Sequence, residues 1–301
     1  MEVLRPPLPE VTAACTIIVC RDLYGDRASN MLRALTRRDS DWRAAYPDLH
    51  AFCLFIGYPK SGHSLVGALL DAHPDVVIGK ALNAFGMVVV DESPPGEVVE
   101  QLLENSRYQA TRGRKQNRYR YGVENQWQGR IRTLRVLGDK FSDRTTKRIG
   151  RTSDALARFE REMGLPLRLI HVTRNPFDMV ARIAVSKIAD GTEQERVAKA
   201  TDYIGRLAAI NQDVIEEGAH PVLTFGHETM VADPREQLGR LCRFLGVEAD
   251  AGYVDDCAEI VFPAPQRARG LIDWQADQIE AIEQIAARHD FLREYRLDEP
   301  E

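Results

Sequence analysis

Long apolar runs are missing from this 301-residue chain. Without about 18 consecutive hydrophobic residues, no membrane-spanning helix is expected. The opening MEVLRPPLPE is acidic and proline-rich, and the apolar patch Thr16–Cys20 is short. No secretory signal is expected from such a start, and a cytoplasmic location is the reading. Cysteine is scarce: Cys15, Cys20, Cys53, Cys242 and Cys257 make an odd count with no C-x-x-C pair. That excludes a disulfide framework and a zinc site, and leaves buried free thiols. No metal-ligand cluster, internal repeat or low-complexity tract stands out. Charge of one sign is also lacking: the net is -5, too mild for nucleic-acid binding through bulk electrostatics.

What is present is ordinary for a packed α/β protein: 44% hydrophobic and 28% charged residues. The segment 1–50 reads as an N-terminal extension packed on or preceding the core, with a short strand at Thr16–Cys20 and a helix at Ala28–Arg38. From Ala51 the pattern changes. Ala51-Phe-Cys-Leu-Phe-Ile-Gly57 is a near-continuous apolar run, as in a strand buried on both faces. Further strands are expected at Val76–Ile78, Thr133–Gly138, Leu167–Val172 and Pro221–Phe225. Helices are expected at Ser64–Ala72, Ser153–Met163, Glu193–Glu217, Pro234–Leu245 and Gln275–Arg288. The alternation predicts a three-layer α/β domain over 51–301, with a mostly parallel central sheet and helices on both faces. Ligands of such sheets bind beyond the C-terminal strand ends.

A partly irregular insertion at about 105–132 begins a basic stretch. From Arg107 to Arg151 there are 14 basic and 3 acidic residues, with Tyr108, Tyr119, Tyr121 and Trp127 interleaved. A solvated basic face and a cover over an anionic cofactor or acceptor are both open readings. No nucleic-acid partner is expected, because no recognised module accompanies the run.

The sharpest local signal is Gly57-Tyr-Pro59-Lys60-Ser61-Gly62-His63-Ser64, between a buried strand and a helix. It has the glycines and final serine of G-x-x-x-x-G-K-[ST], but His63 stands in the lysine slot. Amides at a helix start attract an anion, Gly62 permits close approach, and Lys60 adds charge inside the curl. Without the usual lysine a nucleoside triphosphate is a poor match. A single 5′-phosphate carrying a sulfate is a better one. A second signal is Arg174-Asn-Pro-Phe-Asp178 at the end of the fourth strand. An arginine there suits bidentate phosphate contact; the structural alternative is pairing with Asp178.

Together the two segments resemble the PAPS-dependent sulfotransferases, in a bacterial branch, over about Ala51 to Tyr295 (PAPS is 3′-phosphoadenosine 5′-phosphosulfate). Leu69-Leu-Asp-Ala-His-Pro74, Asn125-Gln-Trp-Gln-Gly129, Val136-Leu-Gly-Asp-Lys140 and Val231-Ala-Asp-Pro234 extend the resemblance. It implies a P-loop-like fold and sulfuryl transfer from PAPS, releasing PAP, to a hydroxyl or amine of a small-molecule, glycan or lipid acceptor, without a metal. It implies that Pro59, Lys60, Ser61, Gly62, His63 and Ser64 cradle the 5′-phosphosulfate, with Lys60 bridging to the leaving oxygen. Arg174 would hold the 3′-phosphate, and Arg269-Gly270 would cover it.

Two positions depart from that pattern. Arg182 stands where the family has a serine or threonine on the 3′-phosphate, with Ser186 one turn on. Ala81, in Ile78-Gly-Lys-Ala-Leu-Asn83, stands where related enzymes often carry a glutamate base. Lys60 and then Lys140 are the candidates to stabilise the leaving oxygen; Asp139 and His63 are the candidate bases. The competing readings are a non-catalytic PAP-binding homologue and a P-loop small-molecule kinase.

Overall fold

The computed structural model describes residues 41–116, 119–152, 154–186 and 190–298. Contacts divide the chain into two compact units, Met1–Ala45 and Tyr46–Glu301. The described part of the first is a short helix α1, Asp41–Ala45. The elements read at Thr16–Cys20 and Ala28–Arg38 lie outside the described residues, as do Cys15 and Cys20.

The second unit is built on five strands: β1 Ala51–Gly57, β2 Val76–Lys80, β3 Val136–Lys140, β4 Leu167–Thr173 and β5 Val222–Gly226. Their spatial order is β2-β3-β1-β4-β5, and every neighbouring pair is parallel. All seven residues of the central β1 are buried, as a strand covered on both faces requires. Its alternating side chains serve two layers. Cys53 and Phe55 pack with Leu65, Val66 and Leu69 of α2 (His63–Leu70) and with Leu238 and Leu241. Phe52, on the opposite face, meets Phe159 edge-on, with ring centroids 5.0 Å apart. This is the three-layer α/β architecture expected from the sequence.

The crossover leaving β1 passes β3 to reach β2, whereas that leaving β3 passes β1 to reach β4. Connections departing in opposite directions open a crevice at the C-terminal ends of the strands beside β1.

Two expectations need correction. The third strand runs Val136–Lys140 rather than Thr133–Gly138. It continues through Asp139 and Lys140, which are only 1% and 5% exposed. The second is the stretch between β2 and β3, where no helix was read from the sequence. It holds α3, Ala84–Val89, and α4, Pro95–Thr111. α4 starts with proline in its first turn, where the missing N–H costs nothing, and buries Val98, Val99, Leu102 and Leu103.

The remaining helices are α5 Ser142–Ile149, α6 Ala155–Met163, α7 Pro176–Ala184, α8 Glu193–Glu217, α9 His227–Ala232, α10 Pro234–Leu245, α11 Ala251–Glu259 and α12 Ala276–Arg288. Cys53, Cys242 and Cys257 are buried free thiols. No described helix is long and apolar enough to cross a membrane.

Candidate functional site

Each strand of the sheet delivers a basic residue to the C-terminal edge. Lys80 and Lys140 end β2 and β3, Lys60 follows β1, Arg174 follows β4, and His227 follows β5. The sequence reading singled out Lys60, Lys140 and Arg174. It gave no role to Lys80 and missed His227, which stands in no motif.

The turn after β1 is shaped by backbone conformations that disfavour side chains. Gly57 has φ 123° and Gly62 φ 93°, while the non-glycine Lys60 sits at φ 67°. The Gly57 amide donates to Thr146 Oγ1 of α5 at 2.9 Å. Gly62 caps α2 with no side-chain hydrogen bond, so the first amides of that helix are left for an anion. A Cβ on Gly62 would lie 2.4 Å from His227 Nδ1. The turn is therefore pressed against the corner after β5.

Side chains of the turn divide between holding it and facing outward. Ser61 is buried and donates from Oγ to the Tyr58 carbonyl at 3.1 Å, so its hydroxyl fixes the curl. Pro59 and Ser64 are half-buried, and Lys60 is exposed. His63 is half-buried, but its Nδ1 is shut off from solvent without a partner. Burial, then the Lys140 and Lys60 cations, hold this imidazole well below its ordinary pKa. His227 shares these features: an enclosed, unpartnered Nδ1, and a pKa pushed down to about 3 by burial and then by Arg174.

Lys140 approaches the turn from beneath. Its Nζ donates to Ser64 Oγ at 3.3 Å. Its stem lies against Gly67 of α2, where a Cβ would be 3.0 Å from Lys140 Cγ. Burial brings its pKa down to about 8; Asp139 opposes this, and Lys80 and Arg114 reinforce it. Asp139 is fully committed to the backbone. Its Oδ1 accepts from the Leu82 amide at 3.1 Å, and its Oδ2 from the amides of Asn83 and Ala84 at 2.8 and 2.9 Å. Burial raises its pKa against those bonds. The turn it holds contains Ala81 at φ 55° and Asn83 at φ 75°. Ala81 itself is exposed.

Arg174 closes the other side. It is 7% exposed, and its guanidinium donates to the Lys60 carbonyl at 3.2 Å and to the Gln266 carbonyl. Lys60 and Arg174, far apart in sequence, thus share one wall of the crevice. Burial lowers the Arg174 pKa against the charges of Asp178 and Glu228. Asp178 acts on Arg174 through charge, but its direct bonds go elsewhere. Its carboxylate accepts from the amides of Ala268 and Arg269, the latter at 2.9 Å. It also faces the Arg269 guanidinium at 3.7 Å. The late basic segment is thereby docked on α7. Arg269 is buried, whereas Gly270 is exposed with nothing within 4 Å of an added Cβ. Arg182, half-buried in the last turn of α7, is close enough for its charge to depress the Arg174 pKa. Ser186 is half-buried.

The basic stretch is part scaffold and part cover. Arg114 forms a buried pair with Asp71 at 3.0 Å and also bonds the Gly67 and Ile78 carbonyls. Arg132 and Arg135 both reach Asp75. By contrast, Tyr119 bonds Gln266 Oε1, stacks on Tyr121 with centroids 6.1 Å apart, and meets Phe262 at 5.9 Å. That aromatic group lies within electrostatic reach of Arg174, which lowers the Tyr121 pKa against burial. Among the described residues no group of three His, Cys, Asp or Glu is arranged to hold a metal ion.

No family model and no curated protein matches the chain. Among solved structures, the chain is similar to the sulfotransferase domain of the Synechococcus PCC 7002 olefin synthase. That match has 18% identity, covers 79% of this chain and 95% of that one, and has a TM-score of 0.45. A sulfotransferase of Mycobacterium avium is matched at 12% identity over 92% of this chain and 89% of that one, with a TM-score of 0.48. A mouse sulfotransferase complexed with PAP is matched at 12% identity over 80% and 84%, with a TM-score of 0.46. Identities this low and overlaps this partial say nothing of substrate or activity.

Proposed function

We propose that the chain is a sulfotransferase that takes a sulfuryl group from PAPS and passes it to a hydroxyl or amine, releasing PAP. The observation that carries this reading is the bond from the Arg174 guanidinium to the Lys60 carbonyl, at 3.2 Å. It makes one wall of the two anion sites that a 3′,5′-bisphosphorylated nucleoside needs. The unpartnered atoms around that wall, His63 Nδ1, His227 Nδ1 and Arg174 Nε, suit a polar ligand, because enclosed polar groups ordinarily have partners.

In this reading PAPS supplies the sulfur electrophile. The bond from sulfur to the bridging oxygen of the 5′-phosphate breaks in line as the acceptor oxygen or nitrogen bonds to sulfur. The electron pair stays on PAP. Lys60 stabilises the charge that builds on the leaving oxygen, as positioned cations do in related group transfers. Lys140, through Ser64, steadies the turn and adds a second positive charge. The acceptor's proton needs a base within hydrogen-bond reach. The three amide bonds on Asp139 count against it. His63 keeps an unpartnered Nδ1, although Lys60 and Lys140 disfavour its protonated form.

A second reading, a PAP-binding protein without turnover, draws on two observations: Ala81 offers only a methyl group, and Asp139 is already saturated. Calorimetric titration with PAP and ATP, followed by turnover of radiolabelled PAPS against a panel of hydroxyl and amine acceptors, separates the possibilities. PAP is expected to bind and ATP to bind at least tenfold more weakly. Preference for ATP would favour a kinase, and PAP binding without turnover the second reading. Lys60→Ala should lower transfer about 100- to 1000-fold, the scale of losing one preorganised stabiliser. Undiminished transfer would refute the role given to Lys60.

A further inference from the structure

The sheet order gives the crevice a direction. Arg174 after β4 and the turn after β1 occupy adjacent strand ends, and β3 and then β2 lie beyond. At the usual strand spacing, β2 ends about 10 Å past β1. This rests on the reading that a nucleotide spans Arg174 and Lys60; its transferable group then points toward the ends of β3 and β2.

Among the described residues, that end of the crevice carries two cations without a carboxylate partner, Lys80 and Arg112. Lys80 is paired in register with Lys140, the last residues of their strands. Lys80 Nζ donates to the Lys115 carbonyl, so the arm that follows α4 is drawn over the strand end. Arg114 is neutralised by Asp71, and Asp139 sits beside Lys140. Among the described residues Lys80 bonds the Lys115 carbonyl and pairs with no carboxylate. Burial, then the Arg114 and Arg112 cations, lower its pKa. Arg112 is itself exposed, bonded to Tyr108 Oη at 3.0 Å and, among the described residues, bridged to no carboxylate. A half-buried ammonium with like charge near it and no carboxylate partner is costly to keep unless an anion joins it.

We propose that the ends of β2 and β3 receive an acceptor carrying an oxyanion (a carboxylate, sulfate or phosphate), bound by Lys80 with Arg112 and Lys115 around it. The acceptor would then be a hydroxylated or aminated acid rather than a neutral phenol or alcohol. Its anionic group would orient the nucleophile toward the sulfur held at Lys60.

The test uses the whole chain with isotopically labelled lysine ammonium groups. PAP is added first to saturation. Inorganic sulfate, inorganic phosphate and acetate are then titrated separately, and the lysine resonances are followed. A saturable shift of Lys80 with at least one of the anions is expected, with Lys60 unmoved and the exposed Lys199 shifting only linearly, as a surface ammonium does. Which anion saturates at lowest concentration names the acceptor's charged group. Lys80→Gln should weaken that binding about tenfold, the scale of one lost charge-assisted bond, and leave PAP affinity unchanged. A linear response of Lys80 to all three anions, or equal anion affinity in Lys80→Gln, overturns the proposal. Failure of PAP to move Lys60 at the outset would instead overturn the nucleotide reading.

Discussion

The two ends of the crevice treat positive charge differently. At the β4–β5 end Arg174 and Arg269 are tied down. Arg174 is fixed by two backbone carbonyls, and Arg269 faces Asp178, which also takes two amides. At the β2–β3 end Lys140 bonds a serine, while Lys80 bonds the one carbonyl of Lys115 and has the Arg112 and Arg114 cations near it. In the proposed reading the first end is preorganised for an anion of fixed shape, a nucleotide phosphate. The second holds charge in reserve on flexible stems and suits a ligand that brings its own counter-charge.

Asp178→Ala should sharpen this contrast most. It removes the carboxylate facing the buried Arg269 guanidinium and the acceptor of two amides, and breaking such a pair by removing one partner costs about 3–5 kcal/mol. Urea denaturation would register the loss, and PAP affinity should fall with it; unchanged stability would show that Ala268 and Arg269 are held by something else.

Asp71 probes the opposite end, where its pair with Arg114 anchors the arm. Burial raises its carboxyl from 3.8 to about 6 despite that pair. The folded state then binds more protons than the unfolded one between those values. Stability contributed by this group is complete below pH 3.8 and declines as pH rises through about 6, by about 3 kcal/mol in all. Subtracting the stability–pH profile of Asp71→Asn from that of the native chain should isolate this falling slope. A difference that is flat, or rises with pH, would contradict it.

The smallest effect is expected for Arg174→Ala, which should weaken PAP binding by about 1.5–3 kcal/mol in calorimetry. Binding at native affinity would move the 3′-phosphate site elsewhere and erase the contrast between the two ends.

Legibility in the sequence followed the same physics. β1, α8 and α10 begin and end where they were read. The first is an unbroken apolar run. The second opens on a capping box at Thr192 and Glu195, and the third on Asp233-Pro234, whose aspartate accepts from the Glu236 amide. α5 was invisible: SDRTTKRI is polar up to its last residue, Ile149, and it packs through Ser142, Thr145 and Thr146. α4 did carry a signal, in the spacing of Val98, Val99, Leu102 and Leu103, but no helix was read there. In the site, the turn and Arg174 were legible because they form local motifs. Lys80 and His227 were not, because their importance comes from the sheet order that aligns distant strand ends. The commitment of Asp139 to three amides depends on a turn with left-handed residues at Ala81 and Asn83, neither of them glycine.

α2 is only eight residues, about 12 Å from end to end. Its positive pole opens on the anion turn, while Arg114 plugs its negative pole by bonding the Gly67 carbonyl. The helix is thus a short bar magnet whose far end is already grounded. It has little freedom to fray, so a phosphate of the proposed nucleotide would meet amides that are already still, with most of the ordering cost falling on folding rather than on capture.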